Sequence, residues 1–230
     1  MKIHGLQKMT LLDFPGRVAC TVFLGGCDFR CPYCHNFELA DGTAKPVMDS
    51  DELLAFLKKR QGLLDGVAIT GGEPCLSPGL PELLSQIREL GFATKLDTNG
   101  YHPDMLGRIL DAGLVDYVAM DIKNSPEKYA ATCGVERIDL EPIRTSIGLI
   151  MSQAPDYEFR TTVVAELHEA SDFHAIGKMI AGARRYFLQS FTDRDTVPFQ
   201  GLSAPSPEDI HAYAQIARAY VPATEVRGVD

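Results

Sequence analysis

Apolar positions along the chain follow two alternating rhythms. Short runs rich in β-branched and aromatic residues read as buried strands, and stretches with apolar residues three and four apart read as amphipathic helices. The run over residues 18–23 predicts a first strand, stopped by Gly25-Gly26. Asp49-Ser50-Asp51-Glu52 then sets an N-cap and early acids before Leu53, Leu54, Phe56 and Leu57, and Lys58-Lys59-Arg60 suit the negative end of the helix that follows. Further strands are predicted over 67–70, 93–98, 115–120, 158–164 and 185–191. Helices are predicted over 80–90, 103–112, 140–152 and 171–183, and a last one runs from Ser206-Pro207-Glu208 through 219.

Strands alternating with helices imply a parallel sheet. Six β/α units are two short of a full (β/α)8 barrel, so the expected fold is α/β, a partial (β/α)6 barrel. No linker interrupts the series, and residues 1–230 are expected to form a single domain. In such folds the chemistry gathers at the C-terminal ends of the strands. Four polar clusters fall there: the cysteine-rich stretch after the first strand, Gly71-Gly72-Glu73-Pro74 after the second, Asp97-Thr98-Asn99-Gly100 at the end of the third, and Asp121-Ile122-Lys123 at the end of the fourth.

Composition narrows the classes. The chain has 230 residues, 22 Lys and Arg against 31 Asp and Glu, and a formal net charge of −9. An acidic chain without a basic block is not expected to bind nucleic acid. No apolar run reaches the ~18 residues of a membrane span, and residues 1–17 lack the apolar core of a signal peptide, so a cytoplasmic location is expected. Six cysteines in such a setting point to metal or redox chemistry.

Three of the six form Cys27-Asp28-Phe29-Arg30-Cys31-Pro32-Tyr33-Cys34, a C-x3-C-x2-C spacing. Thiolates select zinc or iron–sulfur clusters. A structural zinc wants four protein ligands; His35 is adjacent to Cys34 and poorly placed to share an ion with it, and Cys75 has no partner at C-x2-C spacing. Three ligands fit a cubane cluster with one iron open, while three buried core thiols is the plain alternative. Cys20, Cys75 and Cys133 are given no role. Residues 37–49 contain no Cys, so one cluster only is expected.

The spacing, with an aromatic before its last Cys, resembles the signature of radical S-adenosylmethionine (SAM) enzymes. Cys31-Pro32-Tyr33-Cys34-His35-Asn36 is similar to the glycyl-radical-enzyme activases within that superfamily. Residues 5–16, residues 17–36 and the ending Val226-Arg227-Gly228 resemble activating proteins of anaerobic ribonucleoside-triphosphate reductase. The resemblance implies a partial barrel of the radical SAM type. It also implies a [4Fe–4S] cluster held by Cys27, Cys31 and Cys34, whose fourth iron takes the amino and carboxylate groups of SAM. Reductive cleavage of SAM then yields a 5′-deoxyadenosyl radical that abstracts a hydrogen atom.

The resemblance carries further residues into the SAM site. Tyr33 would lie near the adenine, or simply pack on the cluster. Gly71-Gly72-Glu73 matches a GGE motif in which glycine lets backbone approach the SAM amino group. Asp97 and Thr98, otherwise part of an Asn-Gly turn, resemble activase residues lining the SAM site, and in a related activase such residues help hold a monovalent cation. Asp121 and Lys123 resemble a D-x-K pair, with Lys suited to the SAM carboxylate; a surface ion pair is the plain alternative. His174 resembles a histidine of pyruvate formate-lyase activase near SAM, although most helical histidines are surface groups. Arg160 and Gln189 point to the same cavity unless the register slips by one residue.

The implied partner is a glycyl radical enzyme, anaerobic ribonucleotide reductase first, with flavodoxin or ferredoxin as reductant. The alternative is a radical SAM enzyme acting on a small molecule, in the manner of 7-carboxy-7-deazaguanine synthase. A third reading, an electron-transfer iron–sulfur protein, leaves the four rim clusters unexplained.

Overall fold

The structure, a computed structural model, describes residues 1–229. Its elements run β1 (Lys2–Ile3), β2 (Gly5–Thr10), β3 (Ala19–Leu24), α1 (Phe37–Asp41), β4 (Met48–Asp49), α2 (Ser50–Lys58), β5 (Gly66–Gly71), α3 (Leu80–Glu89), β6 (Ala93–Thr98), α4 (Pro103–Asp111), β7 (Tyr117–Asp121), α5 (Tyr129–Thr132), α6 (Glu141–Gln153), β8 (Tyr157–Val163), α7 (Ala170–Met179), β9 (Tyr186–Ser190), α8 (Pro207–Arg218) and β10 (Thr224–Arg227). The main sheet has the order β10-β9-β8-β7-β6-β5-β3-β2, and β1 and β4 form a separate antiparallel pair. All neighbours in the main sheet are parallel except β2 and β3.

The six predicted strands are β3 and β5 through β9, each within two residues of its expected bounds. Helix α7 ends four residues early, because Ile180 leaves the helical region and Gly182 turns at φ +81°. Helix α2 starts at the expected cap: the Asp49 carboxylate accepts from the amides of Asp51 and Glu52, and Glu52 accepts from the Asp49 amide. Two strands of the main sheet were not expected. Strand β2 is half-exposed and polar, so it carries little alternation, and β10 is four residues long and likewise polar.

The strands separate their chemistry by face, since successive side chains point to opposite sides. One face supplies Val22, Leu24, Val67, Ile69, Leu96, Val118, Met120 and Phe159 to a core shared with Leu53, Leu57, Leu84, Ile109, Ile143 and Ile176 of the helices. The opposite face carries Thr21 on β3, Lys95 and Asp97 on β6, Tyr117 and Asp121 on β7, and Glu158 and Arg160 on β8. At the end where the strands begin, this inner face is closed by a small second cluster, Phe14 with Ala19, Tyr117 and Ala119. Tyr117 donates to Glu158, which also takes a two-pronged ion pair from Arg227 of β10. No helix among the described residues is long and apolar enough to cross a membrane.

Candidate active site

A cavity of about 220 Å3 opens where the strands end. Cys27, Cys31 and Cys34 line one wall, with Tyr33 buried among them. Gly71 and Gly72 at the end of β5 line it too, as do Asp97, Thr98, Asp121, Lys123 and Arg160. The four rim clusters of the sequence thus meet in one place, at the strand ends where parallel α/β folds hold their ligands.

The cysteine loop is clamped from several sides. The Arg30 amide donates to the Cys133 carbonyl at 2.8 Å, and Asp28 meets His102 at 2.7 Å. The Asn99 amide group approaches the Cys27 sulfur at 3.8 Å, and the Phe29 amide at 3.4 Å. The Asn36 side chain donates to the Gly71 carbonyl at 3.3 Å, and His35 donates to the Thr192 carbonyl at 2.6 Å while stacking on Phe191. Burial pushes the Cys27 thiol up to about 11 and raises Cys34 as well. Cys31 differs: the neighbouring Cys133 thiol outweighs burial and lowers it. Burial also raises the Tyr33 phenol well above its ordinary value.

The glycine pair has a firmer reason than the sequence suggested. Gly71 sits at φ +124°, and a Cβ there would stand 2.2 Å from the Leu24 carbonyl; one on Gly72 would stand 2.0 Å from the Gly26 carbonyl. Glycine is therefore required by the close passage of β5 along the end of β3, and the turn presents bare backbone to the cavity. Glu73, which the motif carries toward the SAM site, does not line the cavity. It is fully buried, outside the cavity wall, and its oxygens accept from the Asn99 amide at 2.6 Å, the Thr98 hydroxyl at 2.9 Å and the Cys75 amide at 2.9 Å. Burial raises its carboxyl against the pull of those donors. It fastens the β5 turn to the β6 turn.

Charged groups run in a chain across the cavity floor. Lys95 donates to one Asp97 oxygen and Arg160 to the other at 3.3 Å. Arg160 continues to Asp121 at 3.0 Å, and Lys123 completes the chain on Asp121 at 3.1 Å. Burial pushes the Asp121 carboxyl up, but Arg160 and Lys123 outweigh it and hold it at about 2. Burial disfavours the Lys123 ammonium, yet Asp121 prevails and its pKa lies well above the ordinary value. An alkali ion at Asp97 and Thr98, as in the related activase, would find both Asp97 oxygens in ion pairs and the Thr98 hydroxyl donating to Glu73.

His174 stands apart from the cavity. It lies on α7 beside Tyr220, at 3.2 Å from the hydroxyl, in an outer groove with Arg144 and Lys178. Gln189 is in register with Thr162 but does not line the cavity, whereas Thr162 and Arg160 do. Asn36 and Asn99 in the wall and His35 at the loop stand in the sequence motifs without a role of their own; for Asn99 the Asn-Gly turn signal masked it.

The donor set fits an iron–sulfur cluster. Cys27, Cys31 and Cys34 line one cavity wall. Three soft thiolates gathered there suit the corners of an iron–sulfur cubane.

Comparison with known proteins agrees with this geometry. The Radical SAM superfamily model matches residues 21–164, and the chain is a radical SAM enzyme. The superfamily works with a [4Fe–4S] cluster and SAM. A Methanocaldococcus jannaschii protein that carries the provisional name of a glycyl-radical enzyme activating enzyme, MJ1227, is 30% identical over 99% of this chain and 96% of its own length. The pyruvate formate-lyase-activating enzyme of Clostridium pasteurianum is 35% identical over 54% of this chain and 52% of that enzyme. Within the superfamily the chain therefore belongs to the glycyl-radical-enzyme activating family. Streptococcus suis SuiB, solved with its precursor peptide, shares the fold at a TM-score of 0.72 and 12% identity, over 90% of this chain and 48% of SuiB.

Proposed function

We propose that this chain generates a glycyl radical on a partner enzyme, and that the partner is anaerobic ribonucleoside-triphosphate reductase. One observation carries the reading: three thiols, a glycine turn and a charged floor meet in one cavity, in a chain that follows an activating-enzyme relative along 99% of its length. The choice of partner rests on the resemblance of residues 5–16 and 17–36 to activating proteins of that reductase.

Bound together, a reduced cluster and SAM supply one-electron cleavage of the sulfonium and a hydrogen-abstracting radical. Cys27, Cys31 and Cys34 hold the cluster in this reading. The backbone at Gly71 and Gly72 receives the SAM amino group, Lys123 faces the carboxylate, and Tyr33 packs at the adenine. Asp97, Asp121 and Arg160 fix the direction of Lys123. Glu73 and Thr98 act as positioning residues, and His174 takes no part. The cavity mouth admits a loop of the partner protein, and flavodoxin or ferredoxin serves as reductant in the cytoplasm. No bound alkali ion enters this reading.

The test is electron paramagnetic resonance on the reconstituted, reduced protein mixed with SAM and the reductase. A glycyl radical doublet on the reductase is expected. SAM cleavage without that signal would overturn the assigned partner and favour a small-molecule substrate of the 7-carboxy-7-deazaguanine synthase kind.

A further inference from the structure

The inner face of β6 carries a buried lysine that does not line the cavity. Lys95 lies in register with Ala68 of β5 and Tyr117 of β7, and its side chain is 2% exposed. Its ammonium donates to Asp97 and stands 5.9 Å from the centre of the Tyr117 ring. A buried ammonium gives up its hydration, a loss that an apolar residue of similar shape avoids. The position has a physical reason to hold lysine if the charge is used by what lies above it.

The ion-pair chain supplies that reason. Lys95, Arg160 and Lys123 face two carboxylates, Asp97 and Asp121, which leaves one net positive charge. Without Lys95 the same chain is neutral. A cavity floor that receives a ligand carboxylate gains from that surplus charge, because electrostatic attraction in a water-poor site is stronger than in bulk. An alkali ion on Asp97 would supply the same charge, but the Lys95 ammonium and the Arg160 guanidinium already occupy both oxygens.

We propose that Lys95 is a built-in monovalent cation: its ammonium fixes the Asp97 carboxylate and furnishes the surplus positive charge beneath a bound carboxylate ligand, so the site needs no alkali ion. The inference rests on the reading of this cavity as the SAM site. Lys95 is a positioning residue, since it acts through Asp97.

The test measures SAM affinity by equilibrium dialysis on cluster-reconstituted protein in potassium, sodium and choline salts. Ionic strength is held at about 0.1 M, so that general screening stays constant. Wild-type affinity is expected to change by less than about twofold among the salts. Lys95→Met is expected to bind about tenfold more weakly in choline and to recover in potassium or ammonium. Its melting temperature without SAM should rise with the same two ions and not with choline. A purely structural lysine would give no such ion-specific rescue. Wild-type affinity that rises with potassium or sodium would overturn the proposal without any variant, as would a Lys95→Met protein that binds SAM like the wild type in choline. Failure of the wild type to bind SAM in every salt would overturn the SAM-site reading together with it.

Discussion

The two faces of the strands do different work with the same backbone. On β6, Leu96 packs into the helix-covered core while its neighbours Lys95 and Asp97 are paired as ions under the cavity. On β7, Val118 and Met120 are core, and Asp121 is held by Arg160 and Lys123. The outer face is apolar and interchangeable in kind, and it decides that a sheet wrapped by helices forms. The inner face is charged and specific, and it decides what the mouth can bind. A parallel α/β fold can therefore keep its architecture while its chemistry is set by alternate residues of a few strands.

The largest expected effect strikes the outer face. Phe159 is fully buried in the shared core, so Phe159→Ala should cost about 3–5 kcal/mol of stability by denaturant titration. The loss should appear equally with and without SAM, which separates it from any change on the inner face.

A smaller effect is expected within the charged chain. The Asp121 carboxyl is held at about 2, below the ordinary ~3.9 of aspartate. Its contribution to stability is full above about pH 4 and is lost as pH falls through about 2, because the unfolded chain takes up the proton first. Asp121→Asn should remove that part of the acid slope and leave the slope at neutral pH unchanged. An unaltered acid slope in the variant would mean that the ion pairs do not hold this carboxyl.

The smallest effect belongs outside the cavity. His174 faces Tyr220 in an outer groove, and His174→Ala should shift stability by no more than about 0.5 kcal/mol, as for other surface changes. SAM affinity should stay within about twofold of the wild type, well under the 1.4 kcal/mol that a tenfold change represents.

What could be read from the residues follows this division of faces. The buried strands announce themselves because Val, Ile and Phe runs have no other use, and the rim clusters follow from where those strands end. The edge strands β2 and β10 were silent because half-exposed polar residues lack a period. Lys95 was silent for a subtler reason: an inner charged face and a solvent face write the same alternation. Glu73 was legible as a motif but not as a clasp, since its partners Asn99 and Thr98 come from the next unit of the chain. His174 matched a spacing, and its neighbour Tyr220 comes from a distant part of the chain that no local motif records.

In the proposed function Cys27, Cys31 and Cys34 hold one cluster above this floor, and SAM is cleaved there. The direct measurement is 5′-deoxyadenosine formed by anaerobically reconstituted, reduced protein, wild type against Cys31→Ala, with iron counted in both. About four irons and SAM cleavage are expected in the wild type, with loss of cleavage in the variant. Cleavage retained by Cys31→Ala, or a wild type that carries zinc and no iron, would contradict it.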